Sequence, residues 1–263
     1  MIKAIFFDVD GTLLSHKTKQ IPEGAKKVLE QLKEQGIKIF MSTGRHTTEL
    51  AELPVNDVAF DGYITLNGQL CLDENRKMLF GMPFAKEITK VLGNIFEEKK
   101  CPLAFIEESR IYLNFVNDTV RKAQESISTP VPEIGIYEQG DLYQVTAFFK
   151  EQEEEVLRKQ LPKGCRLARW SEHGVDIILD EGGKVAGIKY FCEKFGIDRS
   201  EIMAFGDAEN DIDMLQFAGI GVAIGNARDE VKKVADYVTA DVDDGGIKKA
   251  IGHFICQDGI CEK

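Results

Sequence analysis

Residues 2–12 read IKAIFFDVDGT, an apolar run that ends in two aspartates one residue apart. The segment Ile2–Phe7 has the character of a strand that is buried on both faces of a parallel sheet. Residues i and i+2 of an extended segment point to the same side, so Asp8 and Asp10 should converge at the carboxyl end of this strand. Gly11 permits a sharp turn there. The stretch therefore predicts a pair of carboxylates at one edge of a sheet.

Short apolar strands alternate with helices at both ends of the chain. The predicted helix Pro22–Gln35 begins with a proline and is followed by Gly36, as helices often are. Further strands are predicted at Ile37–Met41, Ile202–Phe205, Ile220–Ile224 and Tyr237–Thr239, and further helices at His46–Leu53, Val185–Phe195, Asp211–Phe217 and Asp229–Ala235. Apolar strands separated by helices predict an α/β fold, a doubly wound parallel sheet of Rossmann type that is covered on both faces.

The middle of the chain has a different pattern. Residues Tyr63–Leu72 alternate around Asn67-Gly68, which is a strong hairpin signal. Beyond them, helices are predicted at Lys86–Lys99, Asp118–Ser128 and Gln152–Gln160, and strands at Leu103–Ile106, Ile111–Phe115, Val145–Phe149 and Val175–Leu179. These strands alternate in polarity, which indicates an α+β sheet with one solvated face. We predict a doubly wound core of residues 1–82 and 181–263, interrupted by an inserted α+β domain of residues 83–180.

Composition excludes several classes of protein. The chain has 263 residues, with 33 basic against 44 acidic residues and a formal net charge of −11, whereas a general nucleic-acid binder usually carries a basic surface. Its six cysteines form no C-x-x-C pair, which favours reduced thiols over a disulfide scaffold or a zinc site. No apolar run approaches the ~18 residues of a membrane helix. We therefore expect a cytoplasmic protein without nucleic-acid or membrane partners.

Three further motifs lie beside predicted strands or helices. Ser42-Thr43-Gly44-Arg45 follows a strand and offers a hydroxyl to a phosphate oxygen, although such a loop can also be an N-cap. Lys184 begins a helix, where the helix dipole disfavours a cation. Either a dianionic ligand or simple solvation must explain why a lysine is present there. Asp207 and Asp211 are one helical turn apart and suit Mg²⁺, although acidic residues are also common at helix starts. Because ligands of open α/β sheets bind outside the carboxyl ends of the strands, the motifs together predict a single site.

The residue types in these motifs suit phosphoryl transfer. Hydrolysis of a phosphate monoester can require a rate enhancement of up to ~10²¹, far beyond the ~10²–10⁴ of general acid–base catalysis. Asp8 would attack phosphorus to form an aspartyl-phosphate, and Asp10 would protonate the leaving oxygen and later deprotonate water. The Mg²⁺ ligands would be Asp8, the backbone carbonyl of Asp10, Asp207 and, directly or through water, Asp211. The phosphoryl oxygens would be bound by Thr43, Lys184, Asn210 and the backbone N–H groups near Val9 and Gly44.

The motifs D-V-D-G-T, S-T-G-R, the lysine of G-G-K and G-D-A-E-N-D resemble those of haloacid dehalogenase (HAD) superfamily phosphatases, specifically the Cof-like branch, subclass IIB. Ile224-Gly225-Asn226-Ala227 also resembles a family segment beside the site. The resemblance covers nearly the whole chain. It implies an aspartate nucleophile, Mg²⁺ and a cap that closes over a small phosphorylated metabolite, often a sugar phosphate.

Three functions remain open from the sequence. The first is a Mg²⁺-dependent phosphatase of small metabolites such as hexose phosphates, the second a phosphosugar mutase of the same fold, and the third a phosphate-sensing module without catalysis. Intact Asp8 and Asp10 count against the third. The candidates for contact with the substrate are Arg45, Asn67, Glu107, Arg169 and Asp176, each of which could equally be a surface or packing residue. Trp170, the single tryptophan, is expected in the cap core.

Overall fold

The computed structural model describes residues 1–51 and 53–255, so Cys256 and Cys261 lie outside the described residues. The strands are β1 Ala4–Phe7, β2 Lys38–Ser42, β3 Gly62–Thr65, β4 Leu70–Leu72, β5 Met78–Gly81, β6 Leu103–Ile106, β7 Ile111–Leu113, β8 Gln144–Ala147, β9 Cys165–Arg169, β10 Val175–Leu179, β11 Ile202–Gly206, β12 Ile220–Ala223 and β13 Tyr237–Val238. The helices are α1 Glu23–Glu34, α2 Thr47–Leu50, α3 Lys86–Glu98, α4 Asp118–Ser126, α5 Glu154–Arg158, α6 Lys184–Phe195, α7 Ile212–Phe217, α8 Asp229–Val234 and α9 Gly246–Phe254.

The first sheet has eight strands in the order β13-β12-β11-β1-β2-β3-β4-β5. Its strands are parallel from β13 to β3, so the predicted α/β fold is confirmed. At one edge of the sheet, β4 and β5 run antiparallel to their neighbours. The cause is the predicted hairpin at Asn67-Gly68, which adds β4 without a crossover helix, together with β5, which the sequence analysis did not identify.

Apolar side chains of the central strand alternate between two cores. Ile5 and Phe7 belong to the core beneath α1 and α9, whereas Phe6 belongs to the core beneath α6. The ring of Phe6 stacks on Phe40 at 4.8 Å between centroids, and Phe40 contacts Phe191 at 4.7 Å. Each fully buried phenylalanine stabilises the fold by about 1.5–3 kcal/mol. The strand is thus fixed from both faces, which holds the backbone that leads into Asp8.

The second sheet has five antiparallel strands in the order β7-β6-β8-β10-β9. One face packs against α3 and α5, and the other carries a small apolar cluster against α4. The expectation of a solvated face is wrong, because Ala104, Thr146 and Asp176 on this second face are all buried. Strand β9 was not expected, since the sequence Cys-Arg-Leu-Ala-Arg offers little apolar surface. All five strands lie within residues 83–180; that this segment is a separate domain stays a prediction.

Gln69 connects both ends of this middle segment to the first sheet. Its backbone carbonyl accepts a hydrogen bond from Met82 N at 2.8 Å, where the chain leaves the first sheet. Its side-chain Oε1 accepts one from Leu179 N at 2.6 Å, where the chain returns. The two ends of the middle segment, at Met82 and Leu179, are therefore both hydrogen-bonded to Gln69. Within the described residues, no helix is both long and apolar enough to cross a bilayer.

Candidate active site

Three adjacent strands end at the same edge of the first sheet, and the predicted motifs follow them there. The central strand β1 pairs in parallel with β2 on one side and β11 on the other. Asp8, Thr43 and Asp207 directly follow these strands, so all three lie at the same edge of the sheet, with Thr43 and Asp207 one residue beyond the level of Asp8. Gly11 has φ +87°, and a Cβ there would lie 2.4 Å from Asp207 Oδ2. A glycine is required at this turn for both reasons.

Lys184 lies at the centre of a buried ionic cluster. It is the first residue of α6 and is fully buried. Its Nζ donates to Asp8 Oδ1 and to Asp211 Oδ1, each at 2.6 Å. Burial alone would lower the pKa of Lys184, but the charges of Asp211 and Asp8 raise it above the usual lysine value. The side chain therefore stays cationic and partly neutralises the two carboxylates.

Three carboxylates face one another beside this lysine. Oxygens of Asp8, Asp207 and Asp211 lie within 4.8 Å of one another. Burial first, and then the charge of Asp211, raise the pKa of Asp8 to about 7. Burial and the charge of Asp8 raise the pKa of Asp207 as well. Thr12 Oγ1 donates to Asp207 Oδ1 at 3.0 Å and fixes its orientation.

This carboxylate cluster fits a divalent cation. Asp8 Oδ2 is buried and has no hydrogen-bond partner among the described residues. A buried carboxylate oxygen without a partner is costly, and a cation would remove that cost. Carboxylate oxygens are the hard ligands that small divalent ions prefer. The carboxylate of Asp10 is not part of the cluster, which leaves its backbone carbonyl as the predicted ligand atom.

Arg45 holds the carboxylate of Asp10. Its Nε donates to Asp10 Oδ2 at 2.6 Å and its Nη2 to Asp10 Oδ1 at 2.7 Å, a bidentate pair. The same guanidinium donates to the carbonyl of Ile127 and to Thr129 Oγ1, both at 2.7 Å. The sequence analysis predicted that Arg45 contacts the substrate. In the structure, its guanidinium donates hydrogen bonds to Asp10 and to the segment after α4. No local pattern in the sequence indicates this contact.

The predicted phosphate-binding residues lie around the cluster. Thr43 and Gly44 line the adjacent cavity, and Thr43 Oγ1 accepts a hydrogen bond from Arg45 N at 3.1 Å. The side chain of Val9 is fully buried, so only its backbone can face a phosphate. Asn210 also lines the cavity, and its Nδ2 donates to Asn67 Oδ1 at 3.0 Å.

A hydrogen-bond network joins the first sheet to the second. Asn67, in the left-handed region at φ +51°, donates through Nδ2 to Asp176 Oδ2 at 2.7 Å and to Gln144 Oε1 at 2.9 Å. Asp176 Oδ1 accepts from Thr146 Oγ1 at 2.7 Å and from Trp170 Nε1 at 3.2 Å. Asn67 and Asp176, two of the predicted substrate residues, are thus in direct contact.

Two other predicted substrate residues point to different partners. Glu107 accepts hydrogen bonds from Arg110 and Tyr112. Arg169 donates through Nε and Nη2 to the same oxygen, Glu154 Oε2. Neither Glu107 nor Arg169 is among the described residues that line the cavity, so the structure does not bring them to the site.

A cavity of about 550 Å³ separates the cluster from the second sheet. This volume is within the range of sites for small ligands. Lining residues that the sequence analysis did not assign to the site include His16, Lys19, Glu49, Gln144 and Arg228. Asn226 also lines it and donates through Nδ2 to the carbonyl of Gly11 at 2.8 Å, in the turn that follows Asp8 and Asp10. The segment Ile224–Ala227, quoted above for its family resemblance, was the signal for that residue.

We expect Asp176→Asn to flatten the dependence of stability on pH. Burial raises the pKa of Asp176 to about 7, although hydrogen bonds from Thr146, Asn67 and Trp170 act in the opposite direction. Between about pH 4 and pH 7 the folded protein keeps a proton that the unfolded chain releases, so stability falls as pH rises through this window. The part of the free energy of unfolding that is lost over this window because of the aspartate should be on the order of a few kcal/mol.

Urea unfolding of both proteins at pH 4.5 and pH 7.5 measures this loss. Only the change with pH is compared, so any constant effect of the amide cancels. Equal changes in the free energy of unfolding for the two proteins would contradict the expectation.

Comparison with known proteins gives matches over both sheets. The sequence model of haloacid dehalogenase-like hydrolases matches residues 5–251. YkrA of Bacillus subtilis is 33% identical over 252 residues, which cover 95% of this chain and 96% of that protein. The 5-amino-6-(5-phospho-D-ribitylamino)uracil phosphatase YitU of Bacillus subtilis is 28% identical over 272 residues, covering 95% and 96%. A solved structure described as the HAD subclass IIB sugar phosphatase BT4131 matches with a TM-score of 0.86 at 37% identity, covering 96% of this chain and 98% of that one.

Proposed function

The chain belongs to the haloacid dehalogenase-like hydrolases and is a phosphatase of that family; from this premise we propose that it hydrolyses small phosphorylated metabolites with Mg²⁺ through an aspartyl-phosphate. The observation that carries the proposal is the buried cluster of Asp8, Lys184, Asp207 and Asp211, in which Asp8 and Asp207 line the cavity and Lys184 and Asp211 lie behind them. It combines an oxygen nucleophile, a fixed positive charge and carboxylates suited to a cation. Phosphoryl transfer needs this combination of positioning and charge neutralisation.

In the first step, a carboxylate oxygen of Asp8 forms a bond to phosphorus as the ester P–O bond breaks. Asp10 gives its proton to the departing alcohol oxygen, so the alcohol leaves neutral. In the second step, water attacks the aspartyl-phosphate and gives its proton to Asp10, releasing inorganic phosphate and restoring Asp8. Arg45 positions Asp10 for both transfers through its bidentate contact.

Asp8, Asp207, Asp211 and the backbone carbonyl of Asp10 would hold Mg²⁺. The ion supplies charge neutralisation between the nucleophile and the phosphoryl oxygens. Lys184, Thr43, Asn210 and the backbone N–H groups near Val9 and Gly44 bind those oxygens. Because Lys184 already contacts Asp8, its charge acts on the nucleophile and the phosphate together.

Residues 83–180 serve as the cap that selects the leaving group. Asn67 and Asp176 support this role, since their hydrogen bond connects the first sheet to the second. The sequence-based expectation of hexose phosphates is supported by one relative described as a sugar phosphatase. Another relative is named for a phosphate ester that carries a uracil ring. Sugar phosphates are thus the first class to test, and the leaving group is taken up below.

Phosphate release from a panel of esters with Mg²⁺ tests the proposal. The panel contains hexose phosphates, other sugar phosphates and aryl-alkyl phosphates, all at neutral pH. Release from a few of them at kcat/KM values near 10⁴ M⁻¹s⁻¹ or above, the usual lower bound for enzymes, would support it. A folded protein that releases no phosphate from any ester would refute it. Interconversion of hexose 1- and 6-phosphates without release would favour the mutase.

Asp10→Asn should lower kcat by at least ~10²-fold, because the amide can neither give nor accept the proton. The amide keeps the shape of the side chain, and its oxygen can still accept from Arg45. Steady-state kinetics on an alkyl phosphate, whose leaving group needs the proton, gives the measurement. An unchanged kcat would show that Asp10 is not the acid and base.

Removal of Mg²⁺ with EDTA should stop phosphate release, and added Mg²⁺ should restore it. The ion should also stabilise the fold, by about 2.7 kcal/mol at one hundred times its Kd, because it binds only the folded cluster. Thermal unfolding with and without Mg²⁺ measures this second effect without substrate. Turnover that persists in EDTA would exclude the metal role, and an unchanged Tm would exclude binding.

A further inference from the structure

Half of the residues that the segment 83–180 contributes to the cavity wall are apolar, and they include two aromatic side chains. Alternate residues of β6, β8 and β10 face this way. We define the apolar wall by six lining residues: Ala104, Ile106, Ile111, Ile127, Phe148 and Trp170. Opposite it lies the ionic floor with Asp8. A phosphate held at the floor therefore directs the rest of its ester toward an apolar surface.

The polar side chains that the strands of the second sheet place on this side of the cavity are already hydrogen-bonded to the protein. Asp176 accepts from three donors, Thr146 donates to Asp176, and Gln144 bonds with Asn67 and with the carbonyl of Gly44. Gln124 Oε1 differs, since it is buried and has no partner among the described residues. A hexose would bring several hydroxyls to this wall, where each one left without a partner is costly.

The charges of the lining residues also restrict which esters can bind. Of the described lining residues within 83–180, Asp176 is the one that can ionise, and none is cationic. A second phosphate or a carboxylate on the leaving group would meet no positive charge from this side. The part of the leaving group that faces this wall is therefore uncharged, whereas Lys19 and Arg228 line the cavity from outside residues 83–180.

Resting on the proposed phosphatase function, we propose that the preferred substrate is the phosphate monoester of an alcohol with an apolar aromatic ring, which packs against the apolar wall beside Trp170 and Phe148. Aromatic pairs gain stabilisation beyond their buried area. The wall thus selects against a bare polyhydroxylated sugar.

Two primary alkyl esters of similar intrinsic reactivity, 2-phenylethyl phosphate and glucose 6-phosphate, test the inference. We expect kcat/KM for 2-phenylethyl phosphate to be at least ~10-fold higher, the lower end of what one well-placed apolar contact contributes. Equal values, or a preference for glucose 6-phosphate, would overturn the inference while leaving the phosphatase function intact.

A matched pair of variants locates the effect. Ile111→Thr places a hydroxyl in the wall and should lower kcat/KM for 2-phenylethyl phosphate by about 10-fold, with less than about 3-fold effect on glucose 6-phosphate. Ile136→Thr makes the same change at a side chain that is 73% exposed and should leave both values unchanged. An equal loss on both esters in Ile111→Thr would overturn the inference.

A measurement of ester binding tests this inference independently of the proposed phosphatase function. Trp170 is the single tryptophan of the chain and lines the cavity, so its fluorescence reports occupancy of the wall. In Asp8→Asn, which cannot turn over, 2-phenylethyl phosphate should bind with a Kd at least ~10-fold lower than glucose 6-phosphate. If neither ester is hydrolysed by the unaltered protein, the proposed function fails. This titration then still decides the inference, and equal or weaker binding of the phenyl ester overturns it.

Discussion

Asp8→Asn is expected to abolish phosphate release, with kcat lower by at least ~10⁴-fold, the scale of losses seen when a nucleophile is removed. An amide is a far weaker nucleophile than a carboxylate, and no second carboxylate can take its place. The neighbouring Asp211 is held by Lys184 and by the backbone N–H groups of Asp207 and Ala208. The measurement is single-turnover release of phosphate from the best ester of the panel.

The fold should survive this change. Removing one of three mutually repelling buried carboxylates relieves a cost, so Tm should not fall. Asp57→Asn makes the same substitution on a side chain that is 65% exposed, paired with Lys26, and should leave kcat unchanged. Residual turnover within ~10²-fold of the unaltered protein would reject Asp8 as the nucleophile, because such a loss is no larger than that of a general acid.

Lys184→Met should be the most damaging single change to stability in the site. The methionine fills a similar volume but leaves Asp8 and Asp211 buried without their cation. Breaking a buried ion pair from one side costs about 3–5 kcal/mol. For a chain of this size that loss corresponds to a drop in Tm of roughly 6–20 °C. Phosphate release should fall as well, since the positive charge beside the nucleophile is gone.

A second substitution separates charge from packing. Lys184→Met combined with Asp211→Asn removes one of the two stranded carboxylates, so the pair should be less destabilised than the sum of the single changes. Coupling energies of 0.5–3 kcal/mol are usual for residues in contact. Urea unfolding of the four proteins gives that energy. Strict additivity would show that the loss comes from packing and not from the uncompensated charge.

The ionic floor of the cavity could be anticipated because its parts are local in the sequence. Asp8, Thr43 and Asp207 each come directly after an apolar strand, and parallel neighbours end at a common edge. Lys184 was identified because its place at a helix start is unfavourable without an anion. In each case a short stretch of sequence identifies the residue and also indicates where in the fold its side chain lies.

Contacts between the two sheets could not be anticipated in this way. Asn67 and Asp176 are 109 positions apart, and Arg45 and Thr129 are 84 apart. Their pairing depends on how the second sheet lies over the first, which no periodicity encodes. The ion pair between Arg45 and Asp10 was therefore not predicted, and the contact of Arg45 with substrate stays a prediction. Strand β9 was missed because its two arginines, Arg166 and Arg169, form ion pairs with Asp213 and Glu154 outside their own strand.

The position of Gln69 has an evolutionary consequence. Both connections of the middle segment bond to this one residue, through its carbonyl and through its side chain. A segment that begins and ends at these two points can therefore vary while β1, β2 and β11 keep their pairing. Under the proposed function, selection can then alter which alcohols are accepted while Asp8 and Lys184 stay unchanged. Specificity and chemistry would be inherited as two separable units within one gene.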